Sequence, residues 1–484
     1  MWRAAMTYDL VIKNGRVISG TGDFVGDIAI AGEQIAAVGA GLRGKQEIDA
    51  TGKLVIPGAI DGHVHMRTER KSFCYDETFA TGSVAAAFGG TTTIIDQIQV
   101  EPGRTLLEEF DSRLATAEGQ SCIDFAFHMN IREEHDARLA EIGAVMARGI
   151  TSFKWFMAIP AWGVSDEFLM RGMWETADRG ALSVIHAENR GALGAMRRRS
   201  AARGDYSLAR FTENYPAPTE AAAIELAMAM TEVTGGRTLI FHNTCAQGVA
   251  AIRAAKARGV KAYGEVCLSY LTHTDDIYRG DPIEALPFLV TPPIRDAAHQ
   301  RALWDGLACG DLDIVSTDHT AMRLVPQQQA LEMAAYFGLK IDVPPANTMT
   351  RYDPAGSRLM PLLPPGGVET RLPLIYSLGV GAGRFDVHRW VELCCAGPAR
   401  LFDLHKKGQL LPGYDADIVV FDPDAEHIFS VANMHSNTDY SVWEGWKTKG
   451  RVEKTFSRGR LIVNGDSFLG SADHGKYLHR KIAS

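Results

Sequence analysis

Eight short apolar runs alternate with alanine-rich stretches, and this alternation restricts the possible folds more than any other feature of the chain. Runs such as TTTIID at 91–96 and IDFAFHMN at 123–130 have the length and composition of buried strands. The stretches between them, such as HDARLAEIGAVMARG, are compatible with helices. Such alternation produces a parallel sheet with crossover helices, and eight units can close into a barrel. We therefore predict an α/β fold with a (β/α)8 TIM barrel.

Residues of the metal-binding type stand at the ends of five of these runs. They are His63, His65, Lys154, His186, His242 and Asp318. In a TIM barrel the chemistry takes place at the carboxyl ends of the strands, where the loops meet. Strand alternation sends both side chains of a His-x-His pair to one face, so both imidazoles can reach one cation. A single histidine at such a position is more often a hydrogen-bonded core or loop residue. Residues of the metal-binding type at the ends of five runs, however, predict one metal site.

Lys154 does not fit this set as an ordinary ligand. An ammonium group has no lone pair to donate, and it repels a divalent cation while it stays protonated. A lysine buried behind an apolar strand must lose its charge or find a partner. Pairing with a carboxylate would satisfy Lys154 but would leave the histidines unexplained.

The combined pattern resembles the amidohydrolase superfamily and, within it, the dihydropyrimidinase and hydantoinase family. The resemblance covers nearly the whole chain and includes segments such as GGVETRLPL, CAGPARLF and YSVWEGW. It implies two divalent metal ions per subunit, zinc by family habit, although the same ligands accept manganese, cobalt or iron. It assigns one ion to His63, His65 and Asp318 and the other to His186 and His242. Lys154, carbamylated, would bridge the two ions together with a hydroxide.

This resemblance also implies a mechanism. Coordination lowers the pKa of water from about 16 toward about 7, so a hydroxide nucleophile exists at neutral pH. The metals polarise the carbonyl, and one proton must then move to the departing nitrogen. Asp318 is the candidate for this proton shuttle. The alternatives are that it is a metal ligand only, or a cap for the following turn.

Two positions depart from the family pattern at the substrate pocket. Relatives usually carry a tyrosine five residues after the metal lysine, where this chain has Ile159, and an asparagine where our alignment places Leu363. Each buried substrate group left unpaired costs about 1–3 kcal/mol, so we predict a more apolar pocket. Thr291 replaces a serine whose backbone contacts the ring in relatives, and a backbone contact can survive the change.

Arg67 indicates a different substrate. The segment HVHMR resembles the His-Leu-Arg form of dihydroorotases, whose arginine binds a substrate carboxylate. A guanidinium suits this role because its donors match both carboxylate oxygens. The simpler interpretation is a surface or salt-bridged arginine near Glu69 and Asp76. If Arg67 binds substrate, that substrate is an anionic cyclic amide.

We predict a dinuclear-metal hydrolase that opens a cyclic amide or imide ring of the dihydropyrimidine or 5-substituted hydantoin type. One alternative is a dihydroorotase-like or allantoinase-like enzyme that uses Arg67, and another is a linear-amide hydrolase. A non-catalytic scaffold relative is a third possibility. Scaffold relatives lose metal ligands, whereas this chain keeps all six.

The chain of 484 residues is longer than a barrel requires, and both ends contain short alternating runs with turn signals. We predict that residues 1–56 and 408–464 form a composite β-sandwich and that 57–407 form the barrel. Residues 465–484 would be a C-terminal arm or tail, and the resemblance suggests that it contacts another subunit.

Composition predicts a cytoplasmic protein. Seven cysteines without a CxxC pair argue against a disulfide framework, and no apolar run approaches the roughly 20 residues that cross a bilayer. A net charge of −8 without a basic stripe argues against nucleic acid as a partner. The family resemblance implies a small cyclic amide as substrate and a homo-oligomer that is a tetramer or a dimer, and we expect no membrane partner.

Overall fold

The computed structural model describes residues 7–19, 22–67, 77–158, 163–203, 208–280, 285–321 and 366–482. The strands in these ranges are β1 Thr7–Ser19, β2 Gly22–Ala31, β3 Gln34–Gly39, β4 Arg43–Asp49, β5 Leu54–Pro57, β6 Ala59–Val64, β7 Thr91–Gln99, β8 Asp124–Asn130, β9 Ser152–Phe156, β10 Leu182–His186, β11 Arg237–Ile240, β12 Ala262–Cys267, β13 Ile314–Ser316, β14 Ile418–Ile428, β15 Lys447–Ser457, β16 Arg460–Asn464 and β17 Ser467–Phe468. The α-helices are Phe79–Phe88, Leu106–Ala117, Asp136–Ala140, Ile142–Met146, Asp166–Ala177, Arg190–Arg203, Ala217–Thr234, Ala246–Ala257, Leu268–Thr272, Ala297–Cys309, Arg371–Ile375, Val387–Val391 and Gly397–Leu401. Short 3-10 turns lie at Leu208–Asn214, Asp275–Arg279, Leu286–Phe288 and Val431–Asn433, and π-helical turns lie at Tyr376–Val380 and Glu392–Ala396.

Strands β6 to β13 form the predicted barrel. They pair in chain order in one eight-stranded sheet, and every pairing is parallel. A parallel bridge between Val64 and His319 joins the end of the first strand to the segment that follows the last. The fold class predicted from the alternation of runs is therefore confirmed.

One predicted run is divided in the structure. The run LVIPGAIDGHVH at 54–65, which contains His63 and His65, is one of the eight apolar runs, but it forms β5 in the terminal sheet and β6 in the barrel. Gly58 lies between them, packed so closely that a Cβ atom there would overlap Oγ1 of Thr92. Glycine is required here because the backbone approaches β7 too closely for a side chain. Gly58 is also the single residue that links the two sheets between β5 and β6.

Two apolar layers hold the barrel together. The first layer lies inside the barrel and comes from alternating positions of its strands. It includes Ile60, Ile95, Ala126, Val184, Leu239, Phe241 and Ile314, which pack against Phe402 from the segment after the barrel. The opposite faces pack against the surrounding helices in a larger cluster. Strands buried on both faces have continuous apolar sequences, which is why the runs were visible in the chain.

The strands from both termini form a second sheet. It has nine strands in the order β17-β16-β15-β14-β5-β1-β2-β3, with β4 paired to β1. Strand β5 connects the two halves, because it pairs with β1 on one side and with β14 on the other. A separate apolar cluster that includes Ile12, Val55 and Ile418 lies in this sheet. The predicted domain limits of 1–56 with 408–464, 57–407 and 465–484 stay predictions.

The C-terminal segment lies against the barrel of its own chain. Tyr477 forms a parallel bridge with Phe125, and its hydroxyl donates to the carbonyl of Arg148 at 2.8 Å. The buried Arg480 donates to Oγ of Ser152 at 3.1 Å. The predicted contact of this arm with another subunit stays a prediction. Within the described ranges, no helix is both long and apolar enough to span a bilayer.

Candidate metal centre

Five of the six residues singled out as metal ligands lie at or just after the carboxyl ends of barrel strands, and Lys154 lies in the middle of its strand. His63 and Lys154 lie within β6 and β9, and His186 is the last residue of β10. His242 and Asp318 each follow their strand by two residues. Both adopt left-handed backbone conformations, with φ angles of 40° and 53°. Such conformations are uncommon for non-glycine residues and often occur at functional sites.

The first group consists of Asp318 and two histidines. Oδ1 of Asp318 lies 3.0 Å from Nε2 of His63 and 2.9 Å from Nε2 of His65. Burial alone would raise the pKa of the Asp318 carboxyl, but the charge of His63 and hydrogen bonds from both imidazoles hold it well below its usual range. Asp318 is therefore a carboxylate, the form that binds metals.

The second group is a pair of histidines. Nδ1 of His186 lies 3.0 Å from Nε2 of His242, and both rings are buried. Burial, reinforced by the charges of His186 and Lys154, lowers the pKa of His242 well below its ordinary value. The ring is therefore neutral, and a neutral imidazole is the form that coordinates a cation.

The two groups belong to one site. The rings of His63 and His242 have centroids 5.8 Å apart. Phe241 lies behind them and stacks on His63 at 3.8 Å between centroids. An aromatic wall of this kind fixes the imidazole and keeps water away from its face.

Lys154 points into the same region without a hydrogen-bond partner. Its side chain is buried, and no described residue accepts a hydrogen bond from Nζ. Nζ lies 4.0 Å from the ring centroid of Phe241. Burial lowers the pKa of Lys154 to about 7, despite the opposing charges of Asp318 and Glu265. Burying an amine without a hydrogen-bond partner costs free energy unless another group binds to it.

The donor set fits divalent cations. Four imidazoles and one carboxylate supply nitrogen and oxygen ligands, the set that zinc and its neighbours accept. Burial would lower the pKa of His63, yet the charges of Asp318 and Glu265 raise it to about 9. The protein therefore stabilises positive charge between these carboxylates.

Two carboxylates behind the histidines escaped the sequence analysis. Oε1 of Glu265 lies 2.9 Å from Nδ1 of His63, and Oε2 of Glu188 lies 2.7 Å from Nε2 of His186. Metal-binding histidines usually donate their second N–H to such an acceptor. Glu265 stands in the apolar run AYGEV at 262–266, and Glu188 stands in LSVIHAE at 182–188. The available signal was an ionisable residue at the end of an apolar run.

Cys267 also lies near the first group. One ligand atom of each of His63, Cys267 and Asp318 lies within 4.8 Å of the other two. Burial raises the pKa of the Cys267 thiol well above its ordinary value, and the thiol donates to Oε1 of Glu265 at 3.5 Å. This thiol is therefore protonated in the structure and supports Glu265.

Two of the four predicted substrate contacts, Thr291 and Arg67, lie within the described residues. Thr291 is half-buried, and its hydroxyl donates to Oε2 of Glu188 at 2.8 Å. Arg67 follows β6 with an exposed side chain, and its backbone N–H donates to the carbonyl of Glu77 at 2.6 Å. Ile159 and Leu363 lie outside the described residues.

The fold and the site define a TIM barrel with a candidate metal centre at the carboxyl ends of its strands, and comparison with known proteins identifies its family. Residues 54–462 match the model of the amidohydrolase family, and the chain belongs to this family. It is similar to the D-hydantoinase of Streptomyces coelicolor, with 36% identity over 98% of both chains. The D-hydantoinase of Rhizobium radiobacter is 34% identical over 98% of this chain and 99% of its own. The crystal structure of dihydropyrimidinase from Brevibacillus agri NCHU1002 superposes with a TM-score of 0.88 at 31% identity, over 97% of this chain and 98% of its own.

Proposed function

We propose that the protein is a metal-dependent hydrolase that opens a cyclic amide or imide ring of the dihydropyrimidine or 5-substituted hydantoin type. The observation that carries this proposal is the convergence of Asp318 on His63 and His65, beside the pair of His186 and His242. Membership of the amidohydrolase family and the names of the similar proteins support it.

We propose two divalent ions per subunit, with zinc as the metal. His63, His65 and Asp318 would hold one ion, and His186 and His242 the other. Lys154 would be carbamylated and bridge them; its buried, partnerless Nζ supports this assignment. When bound, two divalent cations lower the pKa of water toward about 7 and polarise a carbonyl oxygen.

Asp318 is proposed as the residue that moves the proton. Its carboxylate takes a proton from the attacking water while the water oxygen adds to the ring carbonyl carbon. The carbon–nitrogen bond then breaks with its electron pair on nitrogen, and Asp318 returns the proton to that nitrogen. One water is consumed, and the product carries a new carboxyl group. Asp318 is ionised in the structure, and the first step requires an ionised carboxylate to accept the proton.

The pocket is proposed to be more apolar than in relatives. Ile159 and Leu363 replace hydrogen-bonding side chains of the family pattern, so a bulky or imide ring is the favoured substrate. Thr291 would contribute backbone contacts to the ring. The alternative role of Arg67, binding a carboxylate of an anionic ring, fits its position three residues after the end of β6. A homo-oligomer and a cytoplasmic location complete the proposal.

A substrate panel tests this function. Purified, zinc-loaded protein in bicarbonate buffer is assayed with dihydrouracil, hydantoin, 5-phenylhydantoin, a cyclic imide, allantoin and dihydroorotate. We expect the highest kcat/KM for the 5-phenyl or imide ring. Preference for dihydroorotate would instead assign Arg67 to substrate binding. Inactivity on every ring with both metals bound would contradict the proposal.

A further inference from the structure

Glu188 lies between His186, a candidate metal ligand, and the loop that contains Thr291. Its Oε2 is 2.7 Å from Nε2 of His186 and accepts the hydroxyl of Thr291 at 2.8 Å. Glu188 is 2% exposed, so water does not compete for these bonds. The three residues come from the end of β10, the turn after it, and a segment about a hundred residues later.

The bond from His186 sets its tautomer. A carboxylate only accepts hydrogen bonds, so Nε2 of His186 must carry the proton that it donates. In the neutral imidazole, Nδ1 then keeps its lone pair, and Nδ1 is the atom that faces His242 at 3.0 Å. With the opposite tautomer, both the Glu188 carboxylate and Nε2 would present lone pairs to each other. Glu188 therefore selects the nitrogen of His186 that can bind a cation.

The bond from Thr291 sets the position of Glu188. A hydroxyl donor to a carboxylate is a charge-assisted hydrogen bond, which is stronger than a neutral one. The Thr291 hydroxyl is therefore committed to Glu188, which leaves the backbone of Thr291 for any contact with the ring.

We propose that Thr291 and Glu188 form a positioning chain that holds Nδ1 of His186 toward the second metal. The inference deepens the proposed function, since it rests on a cation bound between His186 and His242. It also assigns the Thr291 side chain to the metal site rather than to the substrate. Because Thr291 lies in the loop expected to contact the ring, the chain connects that loop to the second metal.

Metal binding tests the chain without any substrate. The metal content of Glu188→Ala, Thr291→Val and Thr291→Ser is measured by mass spectrometry after equilibration with graded chelator. The loss of an acceptor behind a metal-binding histidine weakens metal affinity about 10- to 100-fold, and we expect this loss for one of two ions in Glu188→Ala. Thr291→Val should weaken the same ion by a smaller factor. Thr291→Ser keeps the hydroxyl and should bind like the parent protein.

Thr455→Val is the matched control. Thr455 is a fully buried threonine in β15 whose hydroxyl donates to the carbonyl of Ala87, in the terminal sheet rather than at the site. It should keep both ions, and equal metal loss in Thr455→Val and Thr291→Val would overturn the chain. So would parental affinity for both ions in either Glu188→Ala or Thr291→Val. If Glu188→Ala fails to fold, the metal affinities of Thr291→Val and Thr291→Ser test the chain without it.

The proposed function fails separately. Selective loss of one ion from Glu188→Ala, in a protein that opens no ring of the substrate panel, would support the positioning chain while contradicting the cyclic-amide activity. Full activity on a ring, together with parental metal affinity in Glu188→Ala, would support the cyclic-amide activity and contradict the positioning chain.

Discussion

Nδ1 of His63 lies 2.9 Å from Oε1 of Glu265, and the same oxygen accepts the backbone N–H of His242 at 3.1 Å. One carboxylate on β12 therefore orients a residue of each histidine group. Glu265 is fully buried, so both bonds form away from water.

Glu265→Gln should lower metal affinity by about 10- to 100-fold, because the amide keeps the shape but loses the charge behind His63. Chelator titration with metal analysis measures the change. Unchanged affinity for both ions would show that Glu265 only packs the strand ends.

Asp318→Asn should abolish turnover while the fold is retained. The amide cannot take up the proton, and general acid–base catalysis contributes about 10²- to 10⁴-fold to the rate. The measurement is kcat on the best substrate, with circular dichroism as the check on folding. Turnover within a few-fold of the parent would remove Asp318 from the shuttle role.

Lys154→Ala should lower metal content, because the site loses its proposed bridging carbamate. Short carboxylic acids added to the variant should restore part of the metal and the activity, since a small carboxylate can occupy the vacated space. Metal analysis before and after addition of acetate or propionate measures the effect. Parental metal occupancy in Lys154→Ala without acid would refute the bridging role.

Ile159→Tyr should shift specificity toward small polar rings. The added hydroxyl restores one hydrogen bond to a buried ring group, worth about 1–3 kcal/mol. The measurement is the ratio of kcat/KM for dihydrouracil to that for 5-phenylhydantoin. Ile159→Phe is the control, because it supplies the ring without the hydroxyl. An equal ratio in both variants would show that size, rather than hydrogen bonding, decides the preference.

Lys407→Met should destabilise the fold without touching the metal site. Nζ of Lys407 is buried and donates to carboxylates of Asp124 and Asp417, with Asp415 at 3.0 Å. Removing one partner of a buried ion pair costs about 3–5 kcal/mol, because the remaining charge loses its counter-charge. Asp124 keeps its pair with Arg458, so the loss falls mainly on Asp417. Thermal or urea unfolding at pH 8 measures the loss.

The same residue predicts a pH dependence. Burial would lower the pKa of Lys407, but the charges of Asp417 and Asp415 raise it above its ordinary value. Its stabilising contribution should therefore be complete below the unfolded pKa of about 10.4 and decrease as the pH rises toward the folded pKa. The difference in stability between the parent and Lys407→Met should be smaller at pH 11 than at pH 8. A constant difference would contradict the charge effect.

The barrel and the set of six candidate ligands followed from local patterns. Strands buried on both faces have continuous apolar sequences, and the chemistry of a parallel barrel gathers at their carboxyl ends. His63, His186 and Asp318 could thus be placed at one end of the fold before their distances were known. The observed strands bear out the barrel.

The partners of these ligands depended on the tertiary structure. His63 and Glu265 are 202 residues apart, and neither periodicity nor spacing indicates that they touch. The division of one apolar run at Gly58 has the same origin, because only the approach of Thr92 makes a glycine necessary there. Sequence determined which residues reach the mouth of the barrel, since strand direction is a local property. Closure of the barrel decided which of them meet, because hydrogen bonds between distant strands form only when the whole sheet does.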